Sequence, residues 1–242
     1  QHREPLRSAS VLLALWAVSP LVASWLSRSL REPSDLLNAA QQSYLRRLTR
    51  KTWRFFETFV GPEDNHLPPD NFQEHPAPVV AHRTSPTNIG LSLLANLAAH
   101  DFGYISTATL LQRTNAVFTT LEKMERFRRH FYNWYDTQTL APLHPAYVST
   151  VDSGNLSGHL LILEPGLRSL GTQPILSPNL WRGLADTVDV LLELAPELTA
   201  PLADLRKRLD HPPVGLEKAR ERARTLLQAF NEIDAQSPPT NA

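Results

Sequence analysis

The hydrophobic and polar positions divide the chain into an apolar start and a series of amphipathic segments. Residues 8–27 form a run of twenty residues without a charge. A helix of that length rises about 30 Å, the thickness of the hydrocarbon part of a bilayer. We therefore predict a transmembrane helix over 8–27, with a signal peptide and a buried soluble helix as alternatives. Because basic residues follow at Arg28, Arg31 and 46–51, the positive-inside rule places the remainder in the cytoplasm.

In the segments that follow, apolar residues recur three and four positions apart, as on one face of a helix. The pattern predicts an amphipathic juxtamembrane helix over 34–60 that starts from Ser34 or Asp35 as a cap. Further helices are predicted from 87 to near 103, from about 106 to the region of 124, opening over 155–163, and at about 179–195, 200–209 and 215–234. The fold class predicted from this pattern is all-α.

Two irregular stretches interrupt the helices, a proline-rich one over 63–86 and an aromatic-rich one over 130–152. In the second stretch, Trp134 and its aromatic neighbours alternate with Asn133 and Asp136. Aromatic faces beside amides and carboxylates suit sugars, whose C–H faces stack on rings while hydroxyls take polar partners. Packing of the loop onto the core is the equally good alternative.

The sequence contains an internal repeat with an offset of 64 residues. Asn88 aligns with Asp152 and Gly90 with Gly154, each pair at the start of a predicted helix. Serine, threonine and asparagine at these places can cap the helices, which is the simplest explanation. A repeat of this size also fits a helix hairpin with its loop, and toroids of such hairpins gather the starts of their inner helices around one crater.

Composition removes several function classes. The chain has no cysteine, which excludes disulfides and thiol catalysis. Lys+Arg and Asp+Glu both number 24, so there is no net basic charge to favour nucleic acid. Because the histidines lack the HExxH spacing and no glycine-rich phosphate loop occurs, we predict neither a metal site nor a nucleotide site here. No spacing pairs two carboxylates for glycoside cleavage either.

Three strings, together with the apolar start, resemble the cyclic β-1,2-glucan synthases of bacteria: FFETFVGPEDNHLPPDNFQE, VVAHRTSPTNIGLSLLANLAAHDFGYIS and HFYNWYDTQTLAPLHPAYVSTVDSGNLSGHLL. The resemblance covers about residues 10–163. It implies a very large inner-membrane protein that polymerises glucose from UDP-glucose into a protein-attached chain and closes that chain into a ring. Since the chain begins at Gln1 rather than Met, we expect a piece of such a protein.

The resemblance also implies an organisation and a site. Residues 61–165 would open a glucoamylase-like (α/α)6 toroid, and residues 166–242 would be its helical continuation. Glucan-binding positions carried over from the resemblance are Arg83, Thr84, Asn88, Trp134, Asp136, Asp152 and Asn155. The resemblance implies that the catalytic acids of the family lie further downstream than this chain reaches, so this segment is expected to be inactive alone and to hold no cofactor. Expected partners are the β-1,2-glucan chain, the membrane and the rest of the parent polypeptide, but no nucleic acid.

Two alternatives from other classes stay open. One is a helical scaffold or linker between the membrane and enzymatic modules, whose polar and aromatic loops are purely structural. The other is an independent glycoside hydrolase of the glucoamylase-like type, which requires a carboxylate pair about 5–10 Å apart.

Overall fold

The computed structural model describes residues 4–27, 37–174 and 176–235, which are mostly helical. The chain divides into two compact units, residues 1–41 and residues 42–242. The first unit contains helix α1 (Glu4–Leu26), which spans most of the predicted transmembrane segment. In the part of the chain that the structure describes, no helix is found that is long and apolar enough to cross a bilayer. The prediction of a membrane span over 8–27 is therefore not confirmed.

Helix α2 (Ala39–Phe59) begins later than predicted, behind a reciprocal cap. Asn38 Oδ1 accepts a hydrogen bond from the Gln41 amide at 2.9 Å, and Gln41 Oε1 accepts one from the Asn38 amide at 2.9 Å. This exchange satisfies two amides that a helix start leaves unpaired. The predicted caps Ser34 and Asp35 lie outside the described residues.

Six further α-helices follow among the described residues, and their positions confirm the predicted helical pattern within a few residues at most ends. They are α3 (Pro86–Phe102), α4 (Thr107–Lys123), α5 (Thr150–Ser169), α6 (Pro178–Leu194), α7 (Thr199–Arg208) and α8 (Leu216–Asp234). Helix α5 is much longer than the predicted opening at 155–163, and Pro165 lies inside it.

Three buried clusters hold the second unit together. One joins α3, α4 and α5 around Ile89, Leu93 and Val117, and a second joins α2 to α3 and α4 around Trp53 and Leu110. The third lies between α6, α7 and α8 around Leu202 and Leu205. Burial of apolar side chains at roughly 25 cal/mol per Å² is the main stabilising contribution of such clusters.

Short antiparallel strand pairs order the two irregular stretches. The pairs are β1 (Phe72–Gln73) with β2 (Val79–Val80), β3 (Arg83–Thr84) with β6 (Tyr135–Asp136), and β4 (Arg126–Phe127) with β5 (His130–Phe131). In the central pair, Arg83 faces Asp136 and Thr84 faces Tyr135 across the strands. Because β3 leads into α3 and β6 lies in the stretch before α5, this pair brings the two loops together at the helix starts.

The starts of α3 and α5 are built in the same way. The Ser85 hydroxyl accepts a hydrogen bond from the Asn88 amide at 3.2 Å, and the Ser149 hydroxyl accepts one from the Asp152 amide at 3.1 Å. The two serines stand 64 positions apart, so the structure confirms the predicted repeat of capped helix starts. Each cap satisfies an amide that the first helical turn cannot pair itself.

Candidate functional site

Arg83 is the first side chain of a polar cluster at the helix starts. Its guanidinium donates to Asp70 Oδ2 from Nη2 at 2.9 Å and from Nε at 3.2 Å. The carbon atom of the same guanidinium lies 4.9 Å from the centre of the Trp134 ring. Arg83 pairs with Asp136 across the strands, and Trp134 lies two positions before Asp136, so the register brings the guanidinium and the indole to neighbouring positions.

The carboxylate of Asp70 accepts hydrogen bonds from three residues. Besides Arg83, it accepts a hydrogen bond from Asn88 Nδ2 on α3 at 3.3 Å and one from Asn71 Nδ2 at 3.1 Å. One carboxylate therefore ties the first long loop to strand β3 and to the first turn of α3. The pairing of Arg83 with Asp70 leaves this side of the cluster without net charge.

Trp134 is held by the buried amide of Asn133. In the orientation that pairs donors with acceptors, Asn133 Oδ1 accepts from Trp134 Nε1 at 2.7 Å and from the Tyr147 hydroxyl at 2.7 Å. In the same orientation its Nδ2 donates to Asp152 Oδ2 at 2.7 Å. Asn133 is only 6% exposed, so these bonds form away from water and fix the indole ring relative to α5.

Thr87 joins the starts of the two helices directly. Its hydroxyl donates to Asp152 Oδ1 at 2.7 Å and accepts from Asn155 Nδ2 at 3.1 Å. Both carboxylate oxygens of Asp152 are thus bonded, one to α3 and one to the aromatic loop. We use the name helix-start cluster for this connected set: Asp70, Asn71, Arg83, Thr87, Asn88, Asn133, Trp134, Asp152 and Asn155.

The structure places five of the seven predicted site residues in the helix-start cluster, namely Arg83, Asn88, Trp134, Asp152 and Asn155. Arg83 and Asn155 are exposed, and Trp134, Asn88 and Asp152 are half-buried. The cluster is therefore open to solvent in part.

The other two predicted residues have different surroundings. Thr84 is fully buried at 0% exposure, and its hydroxyl has no hydrogen-bond partner within the described part of the chain. Asp136 closes its own turn, because its Oδ1 accepts from the amides of Gln138 at 3.0 Å and Thr139 at 2.7 Å and from the Thr139 hydroxyl at 2.9 Å. These bonds, led by the Thr139 amide, lower the pKa of Asp136 below its ordinary value.

Four members of the cluster are absent from the seven predicted positions, namely Asp70, Asn71, Thr87 and Asn133. Of these four, Thr87 and Asn133 are the two that link the starts of α3 and α5. Both carry ordinary polar side chains in a helix start and a loop, where capping or surface exposure is the usual role. Only the tertiary pairing of the two loops shows that each links two elements. The position of Thr87 within the 64-residue repeat is the one signal in the sequence that marks it.

A second polar group lies beside the central strand pair. The carboxylate of Asp64, which is 6% exposed, accepts hydrogen bonds from the Thr137 hydroxyl and lies 2.7 Å from His82 Nδ1. Asn65 Nδ2 donates to the carbonyls of Thr137 and Gln138 at 2.8 and 2.9 Å. These bonds fasten the turn after Pro62 to strand β6 and thereby support the helix-start cluster.

The aspartates at the site accept hydrogen bonds from groups of the protein. Asp70, Asp136 and Asp152 each accept at least two hydrogen bonds from the protein, and the pKa of Asp136 is lowered, opposite to what a general acid needs. Among the residues that the structure describes, no three histidine, aspartate or glutamate side chains lie together in a way that could hold a metal ion.

Comparison with known proteins confirms the resemblance predicted from the sequence. The chain is 39% identical over 229 residues to the cyclic beta-(1,2)-glucan synthase NdvB of Rhizobium meliloti (strain 1021), a match that covers 90% of this chain. The chain spans only 8% of the length of that relative. No protein-family model matches the chain.

Two solved structures have partial likeness to the fold. A protein described as a glucoamylase from Bacteroides fragilis NCTC 9343 is 21% identical, with a TM-score of 0.45 over 57% of this chain and 37% of that chain. A protein of the same description from Bacteroides caccae ATCC 43185 is 17% identical, with a TM-score of 0.37 over 79% of this chain and 37% of that one. Both scores are below 0.5, so neither likeness assigns the fold.

Proposed function

We propose that this chain is a segment of a membrane-bound cyclic β-1,2-glucan synthase and that the helix-start cluster binds the glucan chain. The observation that carries the proposal is the 39% identity to such a synthase over 229 residues, a stretch that includes most of this chain. The kinds of side chain in the helix-start cluster support the proposed glucan binding. A half-buried indole stands among carboxylate, amide and guanidinium groups, which is the combination that suits a neutral sugar.

The charged groups of the cluster already have partners within the protein. Asp70 and Arg83 neutralise each other, and Asp152 is bonded on both oxygens. The exposed polar residues of the cluster are Arg83, Asn71 and Asn155. Sugar hydroxyls can bond to these groups while a C–H face lies on the exposed part of the Trp134 ring.

The remaining properties of the parent are part of the same proposal. The segment contributes binding surface to a transglycosylating, ring-closing domain of (α/α)6 type, and the parent uses UDP-glucose as its donor. The parent lies in the bacterial inner membrane with this segment on the cytoplasmic side. Fractionation of cells that express the complete polypeptide, followed by protease protection of this segment, tests the location.

A helical scaffold is the second candidate, and one observation favours it. Most polar atoms of the helix-start cluster are bonded within the protein, as expected of a network that only fastens two loops to two helices. The glycoside hydrolase alternative has no comparable support, because the aspartates of the cluster are bound in the ways described above.

Titration with β-1,2-glucan oligosaccharides separates the two candidates. We expect calorimetric binding to the 242-residue chain, weakened about tenfold or more by Trp134→Ala, a change of roughly 1.4 kcal/mol. Phe230→Ala is the matched control, since Phe230 is an aromatic residue of α8, 47% exposed, outside the cluster. Binding that Trp134→Ala leaves unchanged, or no binding to the unaltered chain, would favour the scaffold. In the complete polypeptide, Trp134→Ala should raise the ratio of linear to cyclic glucan measured by mass spectrometry.

A further inference from the structure

A short, strongly basic hairpin follows helix α4. Strands β4 and β5 pair directly, so the two residues between them, Arg128 and Arg129, form the whole turn. Residues 126–131 contain three arginines and a histidine but no acidic residue, in a chain whose formal net charge is zero. The acidic residue closest in sequence, Glu125, precedes β4. We use the name arginine hairpin for residues 126–131.

The two turn residues have a backbone conformation that arginine rarely adopts. Arg128 has a φ of 47° and Arg129 has a φ of 75°. A two-residue hairpin loop with positive φ at both positions is a type I′ turn, in which asparagine followed by glycine is strongly preferred. Larger side chains crowd the backbone in this conformation, which costs stability. The two arginines therefore contribute something other than the stability of the turn.

The side chains of the turn do not hold the fold together. Arg126, at the base of the hairpin, donates to the Leu121 carbonyl at 2.8 Å and so fastens β4 to the end of α4. Arg128 and Arg129 are exposed, and neither side chain makes a hydrogen bond or an ion pair with the described residues. The guanidinium carbon of Arg128 lies 5.4 Å from the centre of the Phe127 ring, which is itself 50% exposed. The tip thus presents two unpaired guanidinium groups and one aromatic ring to solvent.

The arginine hairpin lies beside the helix-start cluster. The Tyr135 hydroxyl donates to the Glu125 carbonyl at 2.6 Å, and Tyr135 directly follows Trp134 in strand β6 and its approach. Residues 125–130 are all exposed, so the hairpin protrudes and does not line a cavity of its own. A small anionic ligand needs a concave site, whereas a protruding basic tip fits an extended anionic surface.

We propose that the arginine hairpin docks on an anionic phospholipid surface. Arg128 and Arg129 contact lipid phosphate groups, and the Phe127 ring lies at the level of the headgroups, where aromatic side chains are favoured. The inference rests on the proposed function, under which the chain belongs to a membrane-bound polypeptide, so that a bilayer is present at high effective concentration. An acidic protein segment would pair with the arginines but would give the phenyl ring no apolar surroundings.

A fluorophore placed in the hairpin tests the proposal locally, because the chain contains no cysteine of its own. His130→Cys labelled with nitrobenzoxadiazole reports on the tip and keeps its arginines and Phe127. Vesicles of phosphatidylcholine with phosphatidylglycerol should increase the emission, and vesicles of phosphatidylcholine alone should not. Leu111→Cys near the start of α4, 51% exposed, carries the same label as the control and should respond to neither kind of vesicle.

Replacing the turn by the residues that its conformation prefers separates stability from lipid binding. In the double variant Arg128→Asn with Arg129→Gly, the urea midpoint should rise because the turn is relieved of crowding. The lipid concentration for half-maximal emission should rise about thirtyfold, at about fivefold for each arginine lost. Arg220→Gln with Arg224→Gln removes the same charge from exposed positions of α8 and should leave the response unchanged.

No response, or an equal response to the two kinds of vesicle, would overturn the proposal. An unchanged lipid requirement in the turn variant would overturn it as well, and so would a lower urea midpoint, which would mean that the arginines stabilise the turn. A response to polyglutamate but not to vesicles would assign the hairpin to an acidic protein partner instead. Because none of these measurements uses glucan, a failure of glucan binding leaves them unaffected, and the two proposals can fail separately.

Discussion

Substituting alanine at Gly90 and at Gly154 tests the packing of the two repeated helices. The glycines occupy equivalent positions 64 residues apart, near the starts of α3 and α5. At Gly90 the new methyl group would lie 2.3 Å from Nδ1, 2.9 Å from Cγ and 3.0 Å from Cβ of His159. Rotation of the His159 side chain would move Nδ1 and Cγ but not Cβ, so the 3.0 Å contact with Cβ stays. Helix α5 must then move away from α3, whereas a methyl group at Gly154 would meet nothing within 4 Å.

The two substitutions should change the free energy of unfolding in opposite directions. Alanine is favoured over glycine in a helix by about 1 kcal/mol, which applies at both positions. Overpacking at Gly90 costs about 3 kcal/mol, the upper part of the usual range, since the overlap involves three atoms of His159. We therefore expect Gly90→Ala to destabilise the chain by about 2 kcal/mol and Gly154→Ala to stabilise it by about 1 kcal/mol.

Urea unfolding followed by circular dichroism at 222 nm measures both effects. The double variant Gly90→Ala with His159→Ala isolates the contact, and its coupling energy should be at least about 1 kcal/mol because the imidazole that overlaps the methyl group is gone. If Gly90→Ala stabilised the chain as much as Gly154→Ala, the close approach of α3 and α5 would be refuted.

Three further predictions concern single polar groups. Asp136→Ala should destabilise the chain by about 1 kcal/mol at pH 7, because three donors in its turn lose their acceptor. Because the folded-state pKa of Asp136 is lowered, its contribution to the free energy of unfolding is fully present above pH 3.8, the ordinary pKa, and is lost as the pH falls through the folded-state pKa. Urea midpoints of Asp136→Ala and of the unaltered protein, measured from pH 7 to pH 2, check this. Burial raises the pKa of Tyr135 to about 12 and that of Tyr104 further still, so ultraviolet titration should show two tyrosines that ionise late, and the earlier of these two signals should vanish in Tyr135→Phe. Asp186→Ala should cost about 2 kcal/mol, because it leaves the guanidinium of Arg46 on α2, now 2.7 Å from Asp186 Oδ2, without its partner; equal urea midpoints for variant and unaltered protein would contradict this.

Local features of the chain could be predicted from its sequence. Ser85 and Ser149 act within three residues of their own helices, so capping chemistry alone indicates them. The alternation of apolar positions likewise predicts α3 and α4 nearly to the residue. The sequence also predicts that polar and aromatic groups meet around Trp134, and the contacts of its ring with Arg83 and Asn133 confirm this.

The links between distant segments could not be predicted in this way. The bond between Asp70 and Arg83 depends on how the first loop folds back, and the bond of Asn133 to Asp152 depends on the pairing of β3 with β6. The helix predicted to open over 155–163 continues to Ser169 in the structure, with Pro165 inside it. The turn of α5 after Pro165 packs against α3, where Gly166 meets Leu97. This tertiary contact outweighs the loss of the one helical hydrogen bond that proline cannot donate.

Asn133 provides the last test, since it supports the proposed glucan surface without being exposed itself. Its amide fixes the indole of Trp134 and one oxygen of Asp152 in a site that is 6% exposed. In Asn133→Ala the ring becomes free to change rotamer, and a glucan must then pay roughly 0.5–1.5 kcal/mol to order it again. We expect calorimetric titration at a temperature well below the unfolding midpoint to show threefold to tenfold weaker binding, together with a lower midpoint. Restored affinity but not restored stability in Asn133→Gln would still support the positioning role. Unchanged affinity in Asn133→Ala would mean that the order of the Trp134 ring does not matter for the ligand, and that the network only fastens the aromatic loop to α5.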